Sequence, residues 1–155
     1  MTPGIRLVKK KKITHKVHQY KHDSANTAYG LEAVEKMQVD ETRVFKTLVV
    51  RLDNEALAVG VIPVSSMLSM KHIAKTFSAK KAVMADKSDV ERVTGYVLGG
   101  VSPLGQKKCL KTVIDVSANN HQTIFVSAGR RGLDIELTPD DLKEACAAVF
   151  SEISQ

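Results

Sequence analysis

The chain has 155 residues, 43% hydrophobic and 26% charged, which suits a single folded domain over residues 1–155. It contains no run of 18 apolar residues and no apolar block before its N-terminal lysines, so the sequence predicts no membrane span and no signal peptide, and we expect a cytoplasmic protein. Its two cysteines lie far apart, which is typical of a reduced compartment rather than a disulfide scaffold. The formal net charge of +6 comes in runs of lysine and arginine, which suit either a polyanionic partner or solvated faces and helix ends.

The predicted elements alternate between helix and strand along the chain. A first helix, capped by Thr2 and Pro3, extends through Lys12, and an extended segment follows over residues 13–20. Further helices are predicted to begin at Asn26 or Thr27, Ser66 or Ser69, Asp86, and Thr138. Strands are predicted at residues 44–51, 56–62, 82–84, 111–116, 123–127 and 133–137. Six strands with a hairpin and intervening helices favour an α/β fold, a mixed β-sheet flanked by helices, over a purely parallel sheet.

Two predicted helices carry apolar stripes that indicate how they pack. The second helix has Leu31, Val34 and Met37 at helical spacing. The last helix has the stripe Leu142, Ala145, Cys146 and Val149. We expect this last helix to close the core.

A lysine interrupts the predicted strand at residues 44–51. Lys46 shares a strand face with Val44, Leu48 and Val50, because side chains alternate between the faces of a strand. An ammonium group among aliphatic side chains needs a protein carboxylate, solvent, or an anionic ligand such as a phosphate or a developing oxyanion. We expect a ligand, so Lys46 is the first candidate site residue.

Two glycine-containing segments are further candidates. Residues 94–105 hold four of the nine glycines, which let backbone amides approach a ligand. The Walker pattern fails there, because Gln106 stands where lysine belongs and no Ser or Thr follows Lys107, so an ATPase is rejected. A ligand-binding loop and a compact structural loop both remain open. In the second segment, residues 126–136, a strand ends in a polar turn and another begins.

A metal site is not expected from the histidine cluster. His15, His18 and His22 lie close in sequence, but no carboxylate or cysteine at ligand spacing completes a zinc site. We therefore expect solvated or hydrogen-bonded histidines.

The sequence also lacks a recognisable nucleophile. No Gly-x-Ser-x-Gly motif occurs. A triad of Ser127, His121 and Asp134 fails because six residues of extended strand span about 20 Å. Cys109 has basic neighbours but no paired histidine, which favours an incidental thiol.

Three segments, in this order and spacing, resemble one known family. They are Phe45-Lys46-Thr47, the stretch from Thr94-Gly95-Tyr96 to Gly105, and residues 127–136. Together they closely resemble the YbaK family of aminoacyl-tRNA editing proteins, which is related to the editing domain of bacterial prolyl-tRNA synthetases. The resemblance implies a mixed sheet flanked by helices and a deacylase, a hydrolase or lyase that proofreads translation by removing cysteine wrongly attached to proline tRNA. It implies Cys-tRNA(Pro) and prolyl-tRNA synthetase as partners. No cofactor is expected, and the sequence itself, as described above, predicts neither a metal site nor a membrane span.

The resemblance also implies the site residues. The catalytic residues it implies are Lys46, Gly99 and Gly100, and the substrate-binding residues are Tyr20, Tyr29, Phe45, Thr47, Ser127 and Asp134. Lys46 is expected to hold a phosphate or the terminal ribose, and the amides near Gly99 and Gly100 to stabilise an oxyanion. Asp134 is expected to take the substrate's ammonium or a hydroxyl.

The attacking group and the function each have alternatives. The resemblance implies that the substrate's own cysteine thiol attacks the ester and leaves as a cyclic thiolactone, and an enzyme-bound water is the alternative. The main rival function is a non-catalytic module that binds tRNA or prolyl-tRNA synthetase. A hydrolase acting on another small aminoacyl ester is a third possibility, because the sequence does not give the pocket volume.

Overall fold

In a computed structural model of the protein, which describes residues 1–26 and 28–155, helices and strands alternate as predicted. The α-helices of these residues are α1 Pro3–Lys10, α2 Tyr29–Met37, α3 Met70–Thr76, α4 Lys87–Thr94 and α5 Pro139–Cys146. The β-strands are β1 Lys16–Gln19, β2 Phe45–Leu52, β3 Leu57–Pro63, β4 Ala82–Met84, β5 Lys111–Asp115, β6 Ile124–Arg130, β7 Leu133–Leu137 and β8 Val149–Ser151. Two 3₁₀ turns lie at Glu41–Arg43 and Val116–Asn120.

The strands form two sheets that meet beside the functional site. The smaller sheet has the order β1-β7-β6 and is antiparallel, and the larger has the order β4-β2-β3-β5-β8. In the larger sheet, β2 pairs antiparallel with β3 and β4, whereas β3-β5 and β5-β8 are parallel, so the predicted mixed sheet is confirmed. Val44, just before β2, forms a parallel bridge to Phe125 of β6 and joins the two sheets.

Local sequence explains where several helices begin. The hydroxyl oxygens of Thr2, Ser69 and Thr138 each accept the backbone N–H of the residue three positions on, which satisfies an otherwise free donor in the first helical turn. These three predicted caps are confirmed. The first helix nevertheless ends at Lys10, not Lys12, because Lys12 takes a left-handed backbone conformation with φ 56°.

The second helix differs from its predicted start and stripe. It begins at Tyr29 after the cap residue Ala28, while Asn26 precedes it and accepts the Ala28 N–H at 2.9 Å. The alternative start, Thr27, lies outside the described residues. The buried face carries Glu32 and Ala33, whereas Leu31 is half exposed, so the predicted stripe is wrong at Leu31.

The predicted strand count and the predicted C-terminal stripe are also corrected. The described chain has eight strands instead of six, because β1 and β8 are only four and three residues long and exist through pairing with distant strands. Leu142 and Cys146 of α5 are buried as expected. Val149, however, belongs to β8 and is exposed, because α5 ends at Cys146 and the next residue, Ala147, takes a left-handed backbone conformation with φ 51°.

The core supports the strand that carries Lys46. Phe45 and Val49 belong to the larger buried cluster, while Val50 belongs to a second cluster on the other face of β2, as the alternation predicts. Each helix of the described residues is too short or too polar to cross a membrane.

Candidate active site

A cavity of about 430 Å³ opens at the junction of the two sheets. It lies between the start of β2, the N-terminal half of α2, the glycine-rich loop after α4, and the turn between β6 and β7. Eight of the nine predicted site residues line it: Tyr20, Tyr29, Phe45, Lys46, Thr47, Gly99, Ser127 and Asp134. Residues that are distant in the chain, from Tyr20 after β1 to Asp134 on β7, therefore meet at one place, although their chemical roles stay predictions.

Lys46 of β2 contributes a cationic side chain to the lining of this cavity. It is half-buried, and no salt bridge or hydrogen bond joins its side chain to any residue that the structure describes. Burial lowers the pKa of its ammonium group, because removal from water disfavours the charged form. An anionic ligand group placed here would stabilise that charge.

Asp134 supplies the opposite charge and, within the part of the chain that the structure describes, is also unpaired. It lies on β7 between Ser127 of β6 and His18 of β1, and its side chain is 6% exposed. Burial raises the pKa of this carboxyl to about 7, since no hydrogen bond or ion pair from the described chain compensates the lost solvation. Near neutral pH, Asp134 is thus able to accept or release a proton.

Tyr20 lies beside Asp134 in the cavity wall. Its backbone N–H donates to the Gly132 carbonyl at 2.9 Å, which continues the pairing of β1 beyond its last residue. Burial, together with the nearby charge of Asp134, raises the pKa of the Tyr20 phenol to about 12. The phenol therefore remains protonated and is a hydrogen-bond donor at neutral pH.

The cavity lining also holds polar atoms that lack hydrogen bonds. Within residues 1–26 and 28–155, the buried side-chain nitrogen and oxygen atoms without a partner are Thr47 Oγ1 and Arg131 Nε. Buried polar atoms are almost always hydrogen-bonded, so each such exception needs an explanation. Both belong to lining residues, which is consistent with a pocket organised to bind a polar ligand.

Arg131 is a site residue that the sequence did not single out. Its guanidinium carbon lies 3.7 Å from the centroid of the Tyr29 ring, and one of its amino groups donates to the Asn26 carbonyl. On the loop side, a Cβ added at Gly99 would lie 2.7 Å from Tyr29 Cε2. Tyr29 is thus held between the β6–β7 turn and the glycine-rich loop, and only glycine fits at position 99.

Gly100 is the predicted residue that the structure does not bring to the cavity. It does not line the cavity, and its N–H donates to the Val97 carbonyl at 2.9 Å, closing a turn of the glycine-rich loop. This amide is therefore unavailable to an oxyanion in this conformation. The Gly99 amide, by contrast, has no acceptor within the described chain and lies at the cavity wall, where φ is 95°.

A buried glutamate, Glu32, anchors the chain before α2. Glu32 is 1% exposed and accepts from His22 Nδ1 at 2.6 Å and from the Asp23 N–H at 2.9 Å. Burial opposes ionisation of Glu32, but these hydrogen bonds outweigh it and lower the pKa of the carboxyl. Glu32 is a second lining residue that the sequence analysis missed, because a glutamate one position from Leu31 gave no sign of being buried.

The remaining candidates stay outside the cavity. His15 contacts the Ile13 carbonyl at 2.7 Å, His18 contacts Glu136 at 2.9 Å and His22 contacts Glu32, so the three histidines are hydrogen-bonded to different residues. In the described parts of the chain, no three His, Cys, Asp or Glu side chains are grouped as a metal site would require.

The two thiols and Ser127 do not form a nucleophilic centre. Cys109 is exposed and does not line the cavity, and burial raises the pKa of the Cys146 thiol to about 12. Ser127 Oγ accepts the Gly129 N–H at 3.1 Å, and His121 is not a lining residue. The site therefore offers charge, hydrogen-bond donors and shape, without an activated protein nucleophile among the described residues.

Comparison with known proteins assigns the family. A family model described as "Aminoacyl-tRNA editing domain" matches residues 22–145. Over 153 residues, which cover 99% of this chain and 93% of the relative, the sequence is 34% identical to an Enterococcus faecalis protein named "Putative Cys-tRNA(Pro)/Cys-tRNA(Cys) deacylase EbsC". The chain belongs to the aminoacyl-tRNA editing domain family. The family resemblance seen in the three sequence segments is thereby confirmed.

One further relative is similar in sequence, and two solved structures are similar in fold. A Bacillus subtilis protein named "Uncharacterized protein YwhH" is 33% identical over 113 residues, covering 73% of this chain and 71% of its own. The crystal structure of "hypothetical protein APE2540" has a TM-score of 0.88 at 24% identity and covers 99% of both chains. That of "a putative trans-editing enzyme for prolyl tRNA synthetase" has a TM-score of 0.84 at 18% identity and covers 100% of this chain and 99% of its own. At these identities the structural likeness shows the editing-domain fold alone.

Proposed function

We propose that this editing domain is a trans-acting aminoacyl-tRNA deacylase that removes cysteine from mischarged proline tRNA. The observation that carries the proposal is that one cavity of a chain from an aminoacyl-tRNA editing family holds an ammonium, Lys46, and a carboxyl, Asp134, and neither has a partner among the described residues. An aminoacyl ester on a terminal ribose carries the matching groups, a phosphate and an ammonium. The name of the Enterococcus faecalis relative supports cysteine and proline tRNA as the substrate.

The site residues have distinct roles in this proposal. Lys46 holds the terminal ribose or its phosphate, Asp134 in its ionised form takes the substrate ammonium, and Tyr20 donates a hydrogen bond from its phenol. The Gly99 N–H stabilises the negative charge that develops on the carbonyl oxygen during attack. Tyr29, Phe45, Thr47 and Ser127 shape the volume available to the aminoacyl group.

The substrate thiol is the proposed nucleophile, because the described residues provide none. Its sulfur attacks the ester carbonyl carbon to form a tetrahedral intermediate, and the bond from that carbon to the ribose oxygen then breaks. The ribose oxygen takes up the proton that the thiol released, and cysteine leaves as a four-membered thiolactone. The protein contributes position and electrostatic stabilisation.

The chain would act as one domain in the cytoplasm, where misacylated tRNA is presented to the ribosome. Among the described residues, all elements belong to the fold that forms the cavity, so this domain by itself has little means of reading the anticodon of proline tRNA. We therefore propose prolyl-tRNA synthetase as the partner that supplies tRNA identity. The resemblance to a structure described as a trans-editing enzyme for prolyl tRNA synthetase motivates this partner.

The deciding experiment follows loss of labelled cysteine from Cys-tRNA(Pro) at substoichiometric protein. We expect multiple turnover by the wild type and at least a hundredfold lower kcat/KM for Lys46→Ala, about 2.7 kcal/mol of transition-state stabilisation. Lys75→Ala, which removes an exposed lysine of α3, is the matched control and should behave as wild type. If deacylation and tRNA binding were unchanged in Lys46→Ala, the role proposed for this lysine would be ruled out.

The same assay separates the enzyme from a non-catalytic binding module. A module would bind Cys-tRNA(Pro) and slow its spontaneous hydrolysis, with an effect that saturates at one protein per tRNA. Adding prolyl-tRNA synthetase tests whether turnover depends on that partner. If stoichiometric protein protected the ester from hydrolysis and no turnover occurred even with prolyl-tRNA synthetase present, the proposal that the protein is a deacylase would be contradicted.

Serine distinguishes substrate-thiol attack from attack by water. Ser-tRNA(Pro) differs from Cys-tRNA(Pro) by one atom, and its hydroxyl is far less acidic than a thiol, so the same cyclisation is slow. We expect turnover of the seryl ester to be slower by at least two orders of magnitude, and capture of a thiolactone product from the cysteinyl ester. Equal rates for the two esters would indicate an enzyme-bound water instead.

A further inference from the structure

Large apolar side chains are left exposed at the mouth of the cavity. Leu31 of α2 is 50% exposed, and Val97 and Leu98 of the glycine-rich loop are 70% and 51% exposed. Leu31 and Leu98 line the cavity, and Val97 precedes Leu98 in the same turn. We call these three residues the apolar rim. Exposed apolar side chains gathered at the entrance of a pocket are a common sign of a binding surface.

The surrounding structure holds the rim in place. The turn that carries Val97 and Leu98 is closed by the hydrogen bond from the Gly100 N–H to the Val97 carbonyl. The Leu98 N–H donates to the Glu91 carboxylate at 3.1 Å, which ties this turn to α4. Leu31 faces outward because α2 buries its neighbours Glu32 and Ala33. The rim is therefore formed before any ligand binds.

Cationic groups lie beside the rim. Arg130 is exposed and lines the cavity, and a Cβ on Gly100 of the rim-bearing loop would lie 3.0 Å from Arg130 Cα. Arg131 stacks on Tyr29, whose ring contacts the loop at Gly99. Apolar surface next to guanidinium groups suits unpaired nucleotides, whose bases have uncharged faces and whose phosphates are negative.

We propose that the apolar rim binds the unpaired nucleotide that precedes the terminal one in the aminoacylated RNA, with its base against Leu31 and Leu98 and its phosphate near Arg130. This inference rests on the proposed function, because an ester placed at Lys46 obliges the RNA strand to leave through the cavity mouth. A protein partner fits less well, since three side chains are far fewer than the roughly 20–30 residues per side of a typical protein interface.

The test compares a substrate that reaches the rim with one that does not. Cysteinyl-adenosine carries the ester but no preceding nucleotide, whereas Cys-tRNA(Pro) carries both. For the double variant Leu31→Ser/Leu98→Ser, we expect kcat/KM on Cys-tRNA(Pro) to fall about tenfold, mainly through KM, because base stacking contributes roughly 1–3 kcal/mol per base. On cysteinyl-adenosine the variant should match the wild type within twofold. Val83→Ser removes an equally exposed apolar side chain from β4, outside the cavity, and is the control.

The outcomes separate the rim from the proposed function. An unchanged kcat/KM on Cys-tRNA(Pro) would refute the rim while leaving the deacylase intact, and an equal loss on both substrates would show that the two leucines only shape the pocket. A loss seen only in the presence of prolyl-tRNA synthetase would make the rim a protein contact and also overturn the proposal.

A binding measurement tests the rim even if no deacylation occurs. The probe is a single-stranded RNA that has the 3′ sequence of proline tRNA and carries no amino acid. Its binding is followed by fluorescence anisotropy. We expect the double variant to bind this RNA about tenfold more weakly than the wild type. We expect Arg130→Gln to lower the slope of log affinity against log salt concentration by about 1, which corresponds to the loss of one phosphate contact. Equal affinity of wild type and double variant for this probe would rule out the rim as a nucleotide site.

Discussion

Two acids of the same strand, Asp134 and Glu136, have pKa values shifted in opposite directions. Both lie on one face of β7, two residues apart. Burial opposes ionisation of each, but Glu136 contacts Thr123 Oγ1 at 2.6 Å and His18 Nε2 at 2.9 Å, and these bonds lower its pKa. Asp134 has no such partners in the described chain, and its pKa rises to about 7. The strand thus carries one structural carboxylate and one that is available to a ligand.

The raised pKa of Asp134 predicts how stability depends on pH. Between pH 4 and about 7 the folded protein holds a proton on Asp134 that the unfolded chain has released, so the free energy of unfolding falls as pH rises through this window. Asp134→Asn removes the buried ionisation, and we expect it to be more stable than wild type by on the order of 1 kcal/mol or more at pH 8, with no difference near pH 4.

Urea unfolding of both proteins at pH 4, 6 and 8 measures this difference. Glu136→Gln is the matched control on the same strand and should destabilise the protein at pH 8, because it weakens an existing network with Thr123, His18 and Arg43. If Asp134→Asn were destabilising at pH 8 to the same extent, the carboxylate of Asp134 would have a structural partner after all.

At the scale of elements, the glycine-rich loop depends on one backbone position. Gly99 combines a left-handed φ of 95° with close contact to the Tyr29 ring. Gly95 is also left-handed, at φ 79°, but an added Cβ there would meet only Lys107 Cβ at an ordinary 3.6 Å. Alanine at either position strains the backbone by roughly 1–2 kcal/mol, but alanine at position 99 also displaces Tyr29 from the cavity wall.

This pair of glycines gives a matched prediction for activity. We expect Gly99→Ala to lower kcat/KM at least tenfold, while Gly95→Ala, with a comparable loss in melting temperature, retains activity within about threefold. Thermal unfolding and the Cys-tRNA(Pro) assay, run side by side, check this. Similar activity of the two variants would show that the loop tolerates movement at position 99.

Elements set by local sequence were the ones that could be predicted. Helix starts at Thr2, Ser69 and Thr138 follow from caps that act within one turn, and the β2–β3 hairpin follows from two apolar runs around a short turn. The strand β8 could not be predicted, because three residues carry little pattern and form a strand only through parallel pairing with β5. The burial of Glu32 was not predicted for a related reason: its hydrogen-bond partner His22 lies outside the helix, ten positions away.

The site was predictable as a set of residues but not as an arrangement. The family resemblance brought together residues that the structure places around one cavity, and the lysine within an apolar strand indicated a ligand independently. The stack of Arg131 on Tyr29 was missed because the two residues are distant in sequence and each is ordinary in its local context. The unavailability of the Gly100 amide required knowledge of its acceptor, the Val97 carbonyl.

At the scale of the whole molecule, we expect the net charge to affect the binding of RNA more than the cleavage of the ester. The chain carries a formal charge of +6, and phosphate contacts release counterions on binding. We expect kcat/KM on Cys-tRNA(Pro) to fall steeply between about 50 and 200 mM salt, because each neutralised phosphate contributes to the slope. Cysteinyl-adenosine carries no phosphate, so its kcat/KM should be nearly constant over this range. Steady-state kinetics over a series of salt concentrations give the salt dependence of kcat/KM for each substrate. Equal salt dependence for the two substrates would show that salt acts on the active site and not on contacts with RNA phosphates.

The pairing of β1 with β7 also bears on how fast the protein becomes functional after synthesis or denaturation. His18 and Glu136, which contact each other across these strands, are 118 positions apart in the chain. Closing so long a loop is entropically unfavourable and is slow compared with forming a hairpin such as β2–β3. Tyr20, just after β1, and Asp134, on β7, reach the cavity only once this pair has closed. A refolding chain should therefore acquire much of its secondary structure well before it acquires an active site.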